Sequence, residues 1–221
     1  MNRNHELAFG AAVLSAVDLN WFPDGLSQEV IEAGNQGKLT GPLTQFFLSR
    51  GWLPPCPPPL PVNRSITIEE VLGCGWSVWR GSIIGNGLDL AGALDQDRRS
   101  AQINEIDPNK IVTYTGLVGD ETVITGEERL KRMRAQTEII PFDFRTLWAL
   151  YAEKGQKILR WLYDNGKISR WLEELGTILR SPDGSRYSLI LVREGDGSWG
   201  WDVSWLGLDR YACNPAVGLA S

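Results

Sequence analysis

The chain has 221 residues, of which 43% are hydrophobic and 22% are charged, and its formal net charge is −5 at pH 7. These values are typical of folded globular proteins and argue against a wholly disordered chain. The negative charge argues against a protein that coats nucleic acid or anionic membranes through its overall charge. Ten tryptophans are the unusual feature, and their spread along the sequence favours ordinary burial for most of them.

Cysteine and histidine usage limits the metal and redox chemistry. Cys56, Cys74, Cys213 and the single His5 lack the spacing of a structural zinc site. The first residues do not show a charged segment followed by an apolar one, and no apolar run reaches the about 18 residues of a membrane helix. We therefore expect a cytoplasmic protein with reduced thiols, no metal, no other cofactor and no membrane contact.

A small helical unit is predicted over residues 1–52. Residues 6–20 are rich in alanine and leucine, residues 27–37 begin with a capping serine and end at a glycine, and residues 40–51 form a third helical segment. Residues 53–63 then contain six prolines within nine positions. Because proline fixes the backbone and removes a hydrogen-bond donor, this segment is predicted to be an extended linker.

Residues 64–221 mix strand and helix patterns, which predicts an α+β domain whose antiparallel sheet packs on helices. Residues 75–81 and 110–116 have the alternation and β-branched content of strands. Residues 176–205 contain three apolar runs separated by two glycine-containing turns. They predict a C-terminal three-stranded meander.

The last strand of this meander places Trp199, Trp201, Val203 and Trp205 on one face, since strand side chains alternate. Its other face is small and polar, so the tryptophan face is predicted to be buried against helices. The alternative is an aromatic platform that stacks on a sugar, a base or a partner's apolar residues. Trp76 and Trp79 are three residues apart, so one of them is the better candidate for exposure. The candidate aromatic binding residues are Trp76, Trp79, Trp199, Trp201 and Trp205.

Helices are predicted next to this sheet. Thr125 and Glu128 match a capping box, and Asp143 can cap a second helix. Residues 158–175 continue the helical pattern, with an interruption near residues 165–166. The basic residues of these helices are either a solvated face with intrahelical ion pairs or a phosphate-binding patch. The candidate basic face consists of Arg129, Lys131, Arg132, Arg134, Lys157, Arg160, Lys167 and Arg170.

Five motifs follow one another in a fixed order: GWSVWRG at 75–81, NEID at 104–107, ITGEERLKR at 124–132, GTILRSPDGSRY at 176–187 and WGWDVSWL at 199–206. Together they resemble a conserved hypothetical family of uncharacterised bacterial proteins that is common in candidate-phyla genomes. The resemblance covers residues 70–221 and implies no established activity, cofactor or catalytic residue. This chain departs from the family pattern in a less acidic loop after Gly85 and in the tail at 214–221.

Catalytic signatures are weak. The glycine-rich residues 81–87 lack the lysine and hydroxyl residue that end a phosphate-binding loop. The single histidine gives no basis for a serine or cysteine dyad. The acidic residues of the segment from 89 to 107 do not match a calcium-binding loop, and a carboxylate pair for hydrolysis depends on a spacing that the sequence does not show. They are Asp89, Asp95, Asp97, Glu105 and Asp107.

The sequence therefore favours a non-catalytic cytoplasmic module that binds another macromolecule, most simply a protein. A nucleic-acid-binding protein that uses the basic helices of residues 127–170 is the alternative. A carboxylate-based hydrolase is a third hypothesis. The partner and the oligomeric state stay open.

Overall fold

Residues 56–80 and 94–221 are described by a computed structural model. The predicted helical unit of residues 1–52, the start of the proline linker and the glycine-rich residues 81–87 lie outside the described residues, and their assignments stay predictions. The part of the linker that is described packs on the domain, because Leu60–Pro61 pairs with a later strand and Val62 is buried.

The described residues contain short strands and four α-helices, which confirms an α+β fold. None of these helices has the length and apolar character needed to cross a bilayer. The helices are α1 (Ile68–Leu72), α2 (Gly126–Ala135), α3 (Phe144–Ala152) and α4 (Lys157–Asp164). The strands are β1 (Leu60–Pro61), β2 (Ser77–Val78), β3 (Glu105–Ile106), β4 (Ile111–Tyr114), β5 (Val123–Thr125), β6 (Ile139–Pro141), β7 (Trp171–Glu173), β8 (Leu179–Arg180), β9 (Arg186–Arg193), β10 (Trp199–Trp205), β11 (Asp209–Tyr211) and β12 (Ala216–Ala220).

An eight-stranded sheet forms the centre of the domain. Its main path runs β2-β8-β9-β7-β12-β4, with β10 paired to β9 and β6 paired to β12. The pairs are antiparallel except for β7 with β12. In the segment assigned to a meander, β8, β9 and β10 are consecutive antiparallel neighbours, and Gly184 and Gly197 adopt a positive φ in their turns.

Helices cover both faces of this sheet. The larger apolar cluster joins α3 and α4 to β9, with Leu147, Leu159 and Leu189 fully buried. The smaller cluster includes Met133 of α2 and Ala216 of β12. Since the next residue, Val217, belongs to the larger cluster and strand side chains alternate, the two clusters lie on opposite faces of the sheet.

Local sequence signals account for the helix starts. Asp143 caps α3 by accepting a hydrogen bond from the Thr146 backbone N–H, as predicted. Thr125 caps α2 through the Glu128 backbone N–H, but the Glu128 side chain binds Arg132 instead of completing the capping box.

The predicted interruption near residues 165–166 is confirmed, since the helix ends at Asp164, but the helical pattern predicted beyond it is wrong. Gly166 has φ +66°, a conformation that favours glycine and interrupts a helix. Residues 171–173 then form β7, which lies between β9 and β12. This central position lets Leu172 and Glu173 be fully buried on opposite faces, so tertiary pairing overrides the helical pattern.

Gly176 provides a test of this packing. A Cβ atom at this position would lie 2.5 Å from the Phe142 carbonyl oxygen and 2.6 Å from the Ser100 hydroxyl. We expect Gly176→Ala to lower the free energy of unfolding by about 1–3 kcal/mol, the usual range for overpacking. Urea unfolding measures the change. The matched control is Gly195→Ala, where the added methyl group meets nothing within 4 Å, and equal stability of the two variants would contradict the expectation.

Candidate functional site

The tryptophan strand β10 lies at an edge of the central sheet. It pairs along its whole length with β9 and with no other described strand. Trp201 lies opposite Leu191, and Trp205 lies opposite Tyr187. Because directly opposite residues share a face, the tryptophans point to the side of the sheet that carries α3 and α4.

The predicted burial of this face is correct for Trp199, which is 3% exposed, and wrong for Trp201 and Trp205, which are 37% and 48% exposed. The reason is the edge position. The buried leucines of this face lie on β9, the inner neighbour, whereas β10 is at the margin of the helical layer. The alternation identified the face correctly but carried no information about which strand is the outermost.

Aromatic side chains surround the exposed tryptophans. Trp148 of α3 meets Trp201 edge to face with ring centroids 5.9 Å apart, and it also contacts Tyr151 at 5.0 Å. The Trp205 ring lies against the backbone of Gly207, where a Cβ atom would come within 2.5 Å of the ring. We call Trp148, Tyr151, Tyr187, Trp201 and Trp205 the aromatic edge.

Trp76 and Trp79 contribute less exposed surface. Both are half-buried. Trp76 packs on the larger cluster and contacts Tyr187 at 5.5 Å, whereas Trp79 packs on the smaller cluster with Arg186 over its ring. The two side chains therefore point to opposite faces, as their spacing predicted.

The outer backbone edge of β10 is capped at one end. Gln156 accepts a hydrogen bond from the Trp199 N–H and donates one to the Trp199 carbonyl oxygen, at 2.9 and 3.0 Å. Gln156 has φ +49°, a left-handed conformation that is uncommon for residues other than glycine. This cap shows that the backbone groups of Trp199 point away from β9.

An open cleft of about 700 Å³ adjoins the aromatic edge at Tyr151. Its lining mixes cations such as Arg160 and Arg193 with anions such as Asp164 and Asp196. Arg193 also stacks on the Tyr163 ring at 4.3 Å. The balance of charges in the cleft does not select an anionic or a cationic ligand.

The arginines of helix α2 form ion pairs within the protein. Arg129 is fully buried and binds Glu173 at 3.1 Å, and Arg210 binds both oxygens of the same carboxylate at 2.9 Å. Ser188 also donates to Glu173. Burial lowers the pKa of Arg129 to about 10, while the nearby Glu173 acts in the opposite direction. Arg129 therefore holds the fold together and is not available to a nucleic acid.

Arg132 and Arg134 are also paired. Arg132 binds Glu121 and Glu128, and these hydrogen bonds raise its pKa above the ordinary arginine value. Arg134 binds the buried Asp95. On α2, Lys131 has the most exposed basic side chain, with 62% exposure and a loose contact to Glu128 at 3.9 Å.

The remaining predicted cations lie elsewhere. Lys157, Arg160 and Arg170 are exposed, and Lys167 lies over the Trp161 ring at 5.6 Å. Because α2 and α4 cover opposite faces of the sheet, their cations do not form one surface. The prediction of one basic face across residues 127–170 is therefore corrected. Between α2 and α4 the chain contributes strand β6 to the central sheet, and the two helices lie on opposite faces of that sheet.

The sequence patterns did not indicate which carboxylates are buried. Glu174 is fully buried, accepts hydrogen bonds from the Thr177 and Leu189 backbone N–H groups, and has a pKa raised well above the ordinary value by burial. Asp143 is also buried and binds Arg64 at 2.6 Å. No group of three potential metal ligands occurs within the described part of the chain. Asp143 and Glu174 bind partners inside the protein, and their full burial makes them inaccessible to a substrate.

Comparisons with protein-family models, curated proteins and solved structures find no match to this chain. The resemblance to uncharacterised bacterial proteins stays a prediction from the motifs.

Glu173→Gln tests the buried ion pairs that Glu173 forms with Arg129 and Arg210. The substitution leaves two guanidinium groups inside the protein without a countercharge, so we expect a loss of about 3–5 kcal/mol in the free energy of unfolding. Chemical denaturation measures it. Glu128→Gln, which removes an exposed pair, is the control and should cost about 1 kcal/mol or less. A small loss for both variants would show that the buried pairs are not important for stability.

Glu174 predicts a pH dependence. The folded-state pKa of Glu174 is raised above 4.5, the ordinary pKa of a glutamate side chain. The contribution of this residue to stability is therefore fully present below about pH 4.5 and is lost as the pH rises through the folded-state pKa. We expect the native chain to lose up to about 1.4 kcal/mol per pH unit relative to Glu174→Gln in this window. Parallel unfolding curves measured from pH 4.5 upward test this, and a constant difference between the two proteins would contradict it.

Proposed function

We propose that this protein is a non-catalytic cytoplasmic module that binds another protein through the aromatic edge. The observation that carries the proposal is the exposure of Trp201 and Trp205, 37% and 48%, on an outer strand. Tryptophan is enriched among the residues that dominate the binding energy of protein interfaces.

Rigid support strengthens this proposal. Trp201 is held by Trp148, and the Trp205 ring is held by the backbone of Gly207. Side chains that are already fixed before binding lose less conformational entropy in a complex. The aromatic edge therefore has the pre-organised character of a protein-binding surface.

The alternative hypotheses receive less support. A nucleic acid would have to displace Glu121 and Glu128 from Arg132, and Asp95 from Arg134, before its phosphates reached these arginines. The hydrolase hypothesis needs two accessible carboxylates at a catalytic spacing. Asp143 and Glu174 are buried, and the carboxylates of the cleft, such as Asp164 and Asp196, lie among cations.

Simultaneous Trp201→Ser and Trp205→Ser substitutions test the proposal. We expect a partner that is captured by the native chain, then identified and purified, to bind this variant at least about 30-fold more weakly, because the loss of two central aromatic contacts costs about 2 kcal/mol or more. Calorimetry with the purified proteins measures the affinity.

Val118→Ser is the matched control for this experiment. Val118 is 57% exposed, lies outside the strands, and should leave the affinity unchanged. Equal affinity of the native chain and the double variant would overturn the proposal. A salt-sensitive gel shift of a random RNA or DNA probe, without any protein partner, would favour the nucleic-acid alternative.

A further inference from the structure

We propose that the outer edge of β10 binds an extended segment of another protein as an added antiparallel strand, and that Asp202 selects a segment with a basic residue between two apolar ones. The inference rests on the proposed function and specifies the chemistry of the partner. Strand addition of this kind obtains affinity from main-chain hydrogen bonds and specificity from alternate side chains.

The backbone of β10 presents the groups that such a strand needs. The Gln156 cap shows that the N–H and carbonyl of Trp199 point outward. Because these directions alternate along a strand, the backbone groups of Trp201 and Val203 also point outward. Within the described part of the chain, Trp201 makes no backbone hydrogen bond on this side.

On either side of this stretch, backbone groups of β10 already form hydrogen bonds within the protein. Gln156 occupies the backbone of Trp199 at one end. At the other end, the Trp205 carbonyl oxygen accepts hydrogen bonds from the Leu208 N–H and from Arg210. An added strand is therefore held in register on Trp201 and Val203.

Asp202 controls access to this register. Its Oδ1 atom accepts the Val203 N–H at 2.7 Å and so occupies a donor that an added strand requires. A cation opposite Asp202 on the incoming strand attracts the Asp202 carboxylate away from the Val203 N–H. This N–H can then donate a hydrogen bond to a carbonyl oxygen of the partner. Opposite charges on directly facing residues of an antiparallel pair are stabilising.

The side-chain pattern of the partner follows from the alternation. Residues opposite Trp201 and Val203 share their face and extend the aromatic edge, so apolar side chains fit there. The residue between them lies on the opposite face beside Asp202, which is exposed. The occupant is therefore an extended segment with the order apolar, basic, apolar.

A second copy of this chain fits the edge less well. Two copies of β10 that use Trp201 and Val203 in a symmetric antiparallel pair place Asp202 directly opposite its own copy. Like charges in this position are destabilising. A register centred on Trp201 instead pairs Val203 with Trp199 of the other copy, whose backbone Gln156 already occupies.

Synthetic peptides test the inference. The probe is acetyl-Ser-Thr-Val-Lys-Val-Thr-Ser-amide, and its matched control carries Glu in place of Lys. We expect the lysine peptide to bind the full chain about tenfold more tightly, since reversing one charge changes an exposed pair from attractive to repulsive. Asp202→Asn should abolish this preference while Asp209→Asn, another exposed acidic residue, preserves it.

Methylation of the peptide backbone separates strand addition from simple stacking. In the proposed register the two valine N–H groups of the peptide face β10, and the lysine N–H faces away. N-methylation of both valines should weaken binding at least about tenfold, because two backbone hydrogen bonds are lost. N-methylation of the lysine should have little effect. Titrations followed by amide NMR shifts of Trp201 and Val203 provide the affinities.

The outcomes distinguish this inference from the proposed function. Equal binding of all peptides, loss of binding only when the lysine is methylated, or a charge preference that survives Asp202→Asn would each overturn strand addition as described. If a purified protein partner nevertheless requires Trp201 and Trp205, the proposed function stands and only the present inference fails. If no protein partner depends on these tryptophans, the proposed function fails.

Discussion

Glu173 binds two arginines inside the protein, and the arrangement of the domain depends on this interaction. Its carboxylate binds Arg129 of α2 and Arg210 of β11, and it lies on the central strand β7. Removing charges from water is costly, so such a cluster forms only when its partners are held in exact positions. The cluster therefore couples the helix, the sheet and the carboxyl-terminal strands.

The same interaction explains why the basic helix is a structural element. A helix with four basic residues among Arg129 to Arg134 suggests phosphate binding when it is viewed alone. In the folded chain its arginines meet carboxylates that are distant in sequence, such as Asp95 and Glu173. The acidic and basic residues compensate one another within the fold, whereas Trp201 and Trp205 are exposed.

The aromatic edge follows from the topology of the sheet. β9 pairs on one side with β7 and β8 and on the other with β10, so β10 has no second partner among the described strands. Long exposed edges invite association with other chains, and proteins commonly protect them with charges and caps. Gln156 and Asp202 protect parts of this edge, which leaves a short stretch at Trp201 as the place where we propose that a partner binds.

Local signals in the sequence determined the α+β class, the capping of α2 and α3 by Thr125 and Asp143, and the shared face of Trp199, Trp201 and Trp205. These features depend on residues close together in the chain, where backbone geometry and periodicity act directly. Only the tertiary structure decided that residues 171–173 form a central strand, that Arg129 pairs with Glu173, and that β10 is outermost. Those outcomes depend on which distant segments become neighbours, so Trp201 and Trp205 are exposed although their local pattern is that of a buried strand face.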